Sequence, residues 1–161
     1  MMQELTARDV MTREVATVPE DYSLAELVAF LSQRMITGAP VVDSNGRLLG
    51  VVSVTDVARH SASQTSQVRS TATPDFFVRG WELVGEDVKS FSVEKPSDFT
   101  VRDIMTPVVF SVPENATVGE MAETMVSGRV HRLLVMNGHR VSGIVTTLDL
   151  LKLLRTAEGV G

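Results

Sequence analysis

Gly50-Val51-Val52-Ser53-Val54-Thr55-Asp56 returns 93 positions later as Gly143-Ile144-Val145-Thr146-Thr147-Leu148-Asp149. Each copy reads as an apolar strand running into a hydroxyl-bearing turn, then an Asp, then an apolar helical pattern. The likeness extends upstream. Thr6-Ala7-Arg8-Asp9-Val10-Met11-Thr12 matches Thr100-Val101-Arg102-Asp103-Ile104-Met105-Thr106, and Val18-Pro19-Glu20 matches Val112-Pro113-Glu114, both at an interval of 94. One unit is written twice, with one residue lost in a turn. Two copies are too few for a solenoid. The pair is therefore expected to bury its apolar faces against each other or against a second chain, with function where the units meet.

Within each copy the local signals agree. Thr6-x-x-Asp9 and Thr100-x-x-Asp103 have the spacing of capping boxes, and predict short helical turns. Glu14–Val18 and Val108–Val112 are extended and stopped by Pro19 and Pro113. Ser23-x-x-Glu26 opens a helix with Leu24, Leu27, Val28, Leu31 and Met35 on one face, ended by Gly38. Thr117-x-x-Glu120 opens its counterpart, with Val118, Met121, Ala122 and Met125 inward. Ala39–Val42 and Leu48–Val52 form a hairpin across Asp43-Ser44-Asn45-Gly46. Leu133–Met136 and Val141–Val145 form another, around the strong turn signal Asn137-Gly138. Helices then open at Asp56 and Asp149, the second carrying Leu150, Leu151, Leu153 and Leu154 as a broad apolar face.

The organisation read from this is unit one at 1–60, an insert at 61–99 and unit two at 100–161. Ser61 to Thr73 is Ser/Thr/Gln-rich, has little to bury, and is expected to be mobile. Phe76, Phe77, Trp81, Phe91 and Phe99 are five of the chain's eight aromatics. That concentration implies docking, either over the edge of the chain's own units or on a partner.

Composition narrows the function. Across 161 residues the formal charge is −5, which argues against general nucleic-acid binding, since that requires a basic face to displace counterions. Phosphate contacts must come from a few local Arg or His residues. There is no Cys, hence no disulfide and no thiolate metal site, which fits a reducing compartment. Met1-Met2-Gln3-Glu4-Leu5 lacks the pattern of a signal peptide, and no apolar run approaches a membrane span. A cytoplasmic protein is expected. His60, His131 and His139 share no metal-ligand spacing, so no structural metal is expected. Nor is catalysis: there is no Gly-x-Ser-x-Gly elbow, P-loop or dinucleotide glycine pattern.

A tandem βαββα unit with Gly-x-x-Ser/Thr-x-x-Asp after its last strand resembles the cystathionine-β-synthase (CBS) domain family. Ile36-Thr37-Gly38-Ala39-Pro40-Val41-Val42 and Val130-His131-Arg132-Leu133-Leu134-Val135 carry the resemblance along with the Asp-Val-Met-Thr and Asp-Ile-Met-Thr-Pro openings. The resemblance covers about 6–60 and 100–155, leaving the insert outside. It implies an α+β fold of two units packed about a pseudo-twofold axis through their sheets, as a stand-alone pair that commonly dimerises. It also implies two clefts that bind adenine nucleotides or S-adenosylmethionine and regulate a partner.

Residue by residue, the resemblance gives Asp56 and Asp149 the ribose, with Ser53, Thr55 and Thr146 near ribose or phosphate, and Val51 and Ile144 on the strands leading in. Asp56 would face Val109, Phe110, Val130, His131 and Arg132, while Asp149 would face Val15, Ala16, Ile36, Thr37 and Gly38. Backbone groups would read the adenine edge and aliphatic side chains would sandwich the ring. His131-Arg132 resembles a phosphate-reaching pair of the family; its alternative is a solvated Arg beside a partly buried neutral His. Leu148 stands where Thr55 has a hydroxyl, so the second cleft is less polar. Both Asp turns also read simply as capping boxes, a geometry that needs no ligand. The expected function is an adenine-nucleotide sensor signalling to a partner protein, with no required cofactor, although Mg²⁺ can accompany a polyphosphate. The alternatives are an interaction module with vestigial clefts and an S-adenosylmethionine-binding regulator.

Overall fold

The computed structural model describes residues 4–62, 75–78, 98–107 and 109–157. The expected mobile stretch beyond Ala62, and the docking expected of Trp81 and Phe91, lie outside the described residues. The elements are α1 Ala7–Val10, β1 Val18–Pro19, α2 Leu24–Arg34, β2 Gly38–Val42, β3 Leu48–Ser53, α3 Val54–Ala62, α4 Asp75–Val78, α5 Val101–Ile104, β4 Ser111–Pro113, α6 Val118–Gly128, β5 Arg132–Asn137, β6 Arg140–Thr146 and α7 Thr147–Ala157. This is a mixed α+β fold with two three-stranded sheets, ordered β1-β2-β3 and β4-β5-β6.

In space the chain divides into a first unit, Ala16–Val109, and a second, Met1–Val15 with Phe110–Gly161. The sequence repeat and the compact unit are thus different objects. The capped turn α5, which opens the second repeat, is built into the first unit. The matching turn α1, which opens the first repeat, is built into the second.

In the first unit β1 runs parallel to β2, with α2 as the crossover that a parallel pair requires, and β2 returns antiparallel into β3. Ser23 and Glu26 form the expected capping box, and Leu24, Leu27, Val28 and Leu31 are buried. The predicted helix end was wrong. Met35, not Gly38, terminates α2 by adopting a left-handed backbone (φ 54°), which turns its side chain out to solvent. Gly38 instead begins β2. The core joins Val18, Leu27, Val28, Leu31, Ala39, Val41, Val52 and Val57 to Val101 of α5, with Ile104 and Met105 packed against it.

Backbone hydrogen bonds fasten α5 at both ends. Val101 and Arg102 donate to the carbonyls of Tyr22 and Glu20, and Val51 and Thr106 exchange a reciprocal pair, each at 2.9 Å, along the open edge of β3. Arg102 also pairs with the Glu20 carboxylate. Such edge coverage removes unpaired strand groups that would otherwise template association.

The second unit repeats the plan with β4, β5 and β6, α6 as its crossover, and α1 in the place of α5. Ala7 and Arg8 donate to the carbonyls of Ala116 and Glu114, and Thr12 pairs reciprocally with Ile144. The Glu114 carboxylate, matching Glu20, accepts from the Ser142 hydroxyl of its own unit instead of from the segment's arginine. Asp9 accepts from the Thr6 N–H and hydroxyl, and these bonds hold its carboxyl below the usual range. Met121, Met125, Val130, Leu133, Leu134, Val135 and Val145 are buried. Asn137 pairs with Arg140 across the two-residue turn Gly138-His139, where Gly138 supplies φ 61°. Of the apolar face expected on α7, Leu150 and Leu153 are half-buried while Leu151 and Leu154 are exposed, as is Leu148.

Candidate functional site

Both Ser/Thr-x-x-Asp turns close as capping boxes. In the first unit Asp56 Oδ2 accepts from Ser53 N at 2.8 Å and Ser53 Oγ at 3.1 Å, while the Asp56 N–H donates to Ser53 Oγ at 3.3 Å. In the second, Asp149 Oδ2 accepts from Thr146 N at 2.8 Å and Thr146 Oγ1 at 3.0 Å, and Asp149 N donates to Thr146 Oγ1 at 3.3 Å. The second Asp149 oxygen, Oδ1, lies 3.7 Å from Lys152 Nζ. With its lysine well exposed, that i,i+3 pair contributes little. One carboxylate oxygen is therefore committed to the fold, and the other faces a solvated lysine.

The motif glycines have a packing cause. A Cβ on Gly50 would run into the Thr106 carbonyl, and one on Gly143 would lie 2.8 Å from the Thr12 carbonyl. Each is excluded by the backbone laid along the strand edge, with no ligand involved. A bulge precedes each: Val41↔Gly50 is followed by Val42↔Leu48, and Val135↔Gly143 by Met136↔Val141, leaving Leu49 and Ser142 as the extra residues. The bulge bends the strand just before the hydroxyl turn.

Each turn lies beside the matching segment of its own unit. In the first, Gly38 pairs with Ser53, and the Val54 N–H donates to the Thr37 carbonyl at 2.9 Å. Val51, Ser53 and Gly38 are buried, while Thr55, Asp56, Ala16, Ile36, Thr37 and Val109 are half-buried. In the second, Arg132 pairs with Thr146, and the Thr147 N–H donates to the His131 carbonyl at 2.9 Å. Val130 is buried, His131 exposed, and Arg132, Ile144, Thr146, Asp149, Val15 and Phe110 half-buried. Burial pushes the Arg132 guanidinium below its ordinary value, yet an arginine remains charged in any ordinary buffer. Phe110 is partly spoken for: a Cβ on Gly128 would lie 2.9 Å from its ring, so the ring packs on the end of α6.

Two residues join these clusters that the motifs did not single out. Thr147 donates its hydroxyl to the His131 carbonyl at 3.2 Å and lies 3.5 Å from His131 Nδ1. Its signal was the doubled threonine of Thr146-Thr147, where the first copy has Ser53-Val54. Phe76 lies against Gly38, and Phe76 and Phe77 are both buried in the first unit. Their signal was the aromatic density of the insert, which named no target. Among the described residues no group of three or more His, Cys, Asp or Glu side chains could hold a metal ion. No helix among them is long and apolar enough to cross a membrane.

Comparison with known proteins identifies the family and the fold. The family model for the CBS domain matches residues 7–63 and 101–156. An uncharacterized protein of Methanocaldococcus jannaschii is 28% identical over 156 residues, covering 91% of this chain and 89% of its own length. Other relatives are longer: the chain spans 23% of that archaeon's inosine-5'-monophosphate dehydrogenase, at 26% identity over 147 residues. Among solved structures, CBSX2 in complex with AMP superposes with a TM-score of 0.64 at 22% identity, over 95% of this chain and 98% of that one. The CBS domain pair of protein MJ0100, in complex with 5-methylthioadenosine and S-adenosyl-L-methionine, gives 0.64 at 21% identity, over 96% and 99%.

Proposed function

The chain belongs to the CBS domain family, and from that premise we propose that it is a regulatory module that senses AMP, ADP or ATP and signals to a partner protein. The observation that carries the reading is Arg132, half-buried and placed by β-pairing beside Thr146 at the start of the eleven-residue α7. A fixed guanidinium fork suits phosphate. The positive dipole end of a helix start suits it too, with the Thr147 and Asp149 N–H groups already given to the His131 carbonyl and Thr146 Oγ1. His131 and the Thr147 hydroxyl adjoin the same turn. Asp56 and Asp149 are the proposed ribose acceptors, since an ionised carboxylate can only accept. Ser53, Thr55 and Thr146 stand near ribose or phosphate. Val51, Val109, Phe110, Val130 and Ile144 offer apolar surface to the base, and Val15, Ala16, Ile36, Thr37 and Gly38 complete the set. AMP and S-adenosylmethionine in similar folds support the ligand class. Neither a catalytic role nor a required cofactor is part of the proposal, and Mg²⁺ enters only with a polyphosphate. A cytoplasmic location is part of it.

Calorimetric titration with AMP, ADP, ATP and S-adenosylmethionine tests it. One of the nucleotides should bind saturably, and Asp56→Asn or Asp149→Asn should weaken it about tenfold, some 1.4 kcal/mol. Asn is chosen because its amide oxygen can still accept from the cap N–H, which keeps the turn. Arg132→Ala should weaken the nucleotides more than the phosphate-free sulfonium ligand. Silence at millimolar concentrations would sink the reading in favour of an interaction module with vestigial sites. Binding of S-adenosylmethionine alone would favour the third reading.

A homodimer belongs to the same proposal. Leu148, Leu151 and Leu154 recur every third residue on α7 and are exposed. Light scattering should return twice the chain mass, and Leu151→Glu should return the single mass. An unmodified chain that runs as a monomer at tens of micromolar would count against the dimer.

A further inference from the structure

Gly38 and Arg132 occupy the same register in the two units, opposite Ser53 and Thr146. The second unit sends a side chain out from this position. The first unit has none, and the room is taken by the insert. A Cβ on Gly38 would lie 3.1 Å from Phe76 Cδ2. Phe76 is 3% exposed and Phe77 fully buried, with their rings edge-to-face at 5.0 Å and 90°. Ser53 is 4% exposed, whereas its counterpart Thr146 is half-buried and reachable. The hydroxyl turn of the first unit is closed where that of the second is open.

We infer that Phe76, backed by Phe77, occupies in cis the binding position on the Ile36–Gly38 segment, so that a nucleotide reaches this segment only by displacing α4. The inference rests on the nucleotide reading proposed above. A flat aromatic ring is a fair substitute for a flat base on a glycine-floored surface, since both gain by stacking contact and by leaving water. The four-residue α4 is too short to be stable as a helix in its own right, and among the described residues Phe76 and Phe77 are the side chains it buries. Displacement would then release α4 in a ligand-dependent way. That provides a signal to a partner with no change in either sheet.

The test is titration of the full chain with AMP as unmodified protein, Phe76→Ala and Phe76→Leu. Leu keeps apolar bulk should Ala fail to fold. If the self-occupied state holds roughly nine chains in ten, removing the ring tightens binding at this position about tenfold, because apparent affinity scales with the competent fraction. Hydrogen exchange of the peptide spanning Phe76–Phe77 in the unmodified protein should accelerate as AMP saturates. A folded variant whose affinity and stoichiometry equal those of the parent, or a Phe76–Phe77 peptide whose protection ignores saturating AMP, overturns the inference while leaving the nucleotide module standing. Absence of AMP, ADP and ATP binding in every form overturns both.

Discussion

Deleting residues 1–12 should unfold the second unit, residues 110–157, and leave the first unit folded. In sequence the deleted stretch opens the first repeat. In the structure it completes the other unit. Five backbone hydrogen bonds go with it: Ala7 and Arg8 to Ala116 and Glu114, the reciprocal Thr12–Ile144 pair, and Val118 to the Leu5 carbonyl. At roughly 0.5–1.5 kcal/mol net for each bond, the loss is about 3–7 kcal/mol. The fully buried Ala7 is removed as well, and the edge of β6 is bared. A whole domain is stable by only about 5–15 kcal/mol, and a unit this small sits at the low end. Hydrogen exchange read by mass spectrometry separates the outcomes. Peptides from 110–157 should lose protection while those from 16–60 keep theirs; the reverse pattern would show that each repeat folds upon itself.

Gly50→Ala should destabilise the first unit by about 1–3 kcal/mol, the usual cost of forcing a methyl group into a packed site. The added carbon meets the Thr106 carbonyl and comes within 3.2 Å of Pro107 Cα. Both are backbone, so no rotamer change relieves the clash. The strain falls on the Val51–Thr106 pair that fastens α5. For a unit of this size each kcal/mol shifts Tm by some 4–8 °C. Gly119→Ala is the matched control. It lies in the first turn of α6, where a new Cβ finds only Thr117 Oγ1 at 3.8 Å. There the better helix propensity of Ala should raise stability by up to about 1 kcal/mol. Equal melting of Gly50→Ala and the parent would mean that α5 is held loosely enough to move aside.

Both effects bear on how regulation could work. Each unit is completed by a segment that opens the other repeat. Glu20 and Glu114 show the two seats to be unlike. The first engages the incoming Arg102, while the second is occupied by Ser142 of its own unit.

What the sequence determined by itself is whatever depends on neighbours within about four residues. The Ser23–Glu26, Thr117–Glu120, Ser53–Asp56 and Thr146–Asp149 boxes close as read, because a hydroxyl and a carboxylate three apart reach each other's N–H groups wherever a helix begins. The Asn137-Gly138 hairpin follows for the same reason, and the duplication placed equivalent turns in equivalent units. Helix ends were less legible: Met35 takes the left-handed position that Gly38 seemed made for, because Gly38 is needed where β2 passes the Val52 carbonyl and the Phe76 ring. Only the tertiary structure decided which capped turn completes which unit, why Gly50 and Gly143 must lack a side chain, and that Phe76 lies on Gly38. Those are contacts across 38 to 132 positions of chain. At that range several partners of equal chemistry are available, and the choice rests on shape and chain connectivity, which no local pattern encodes.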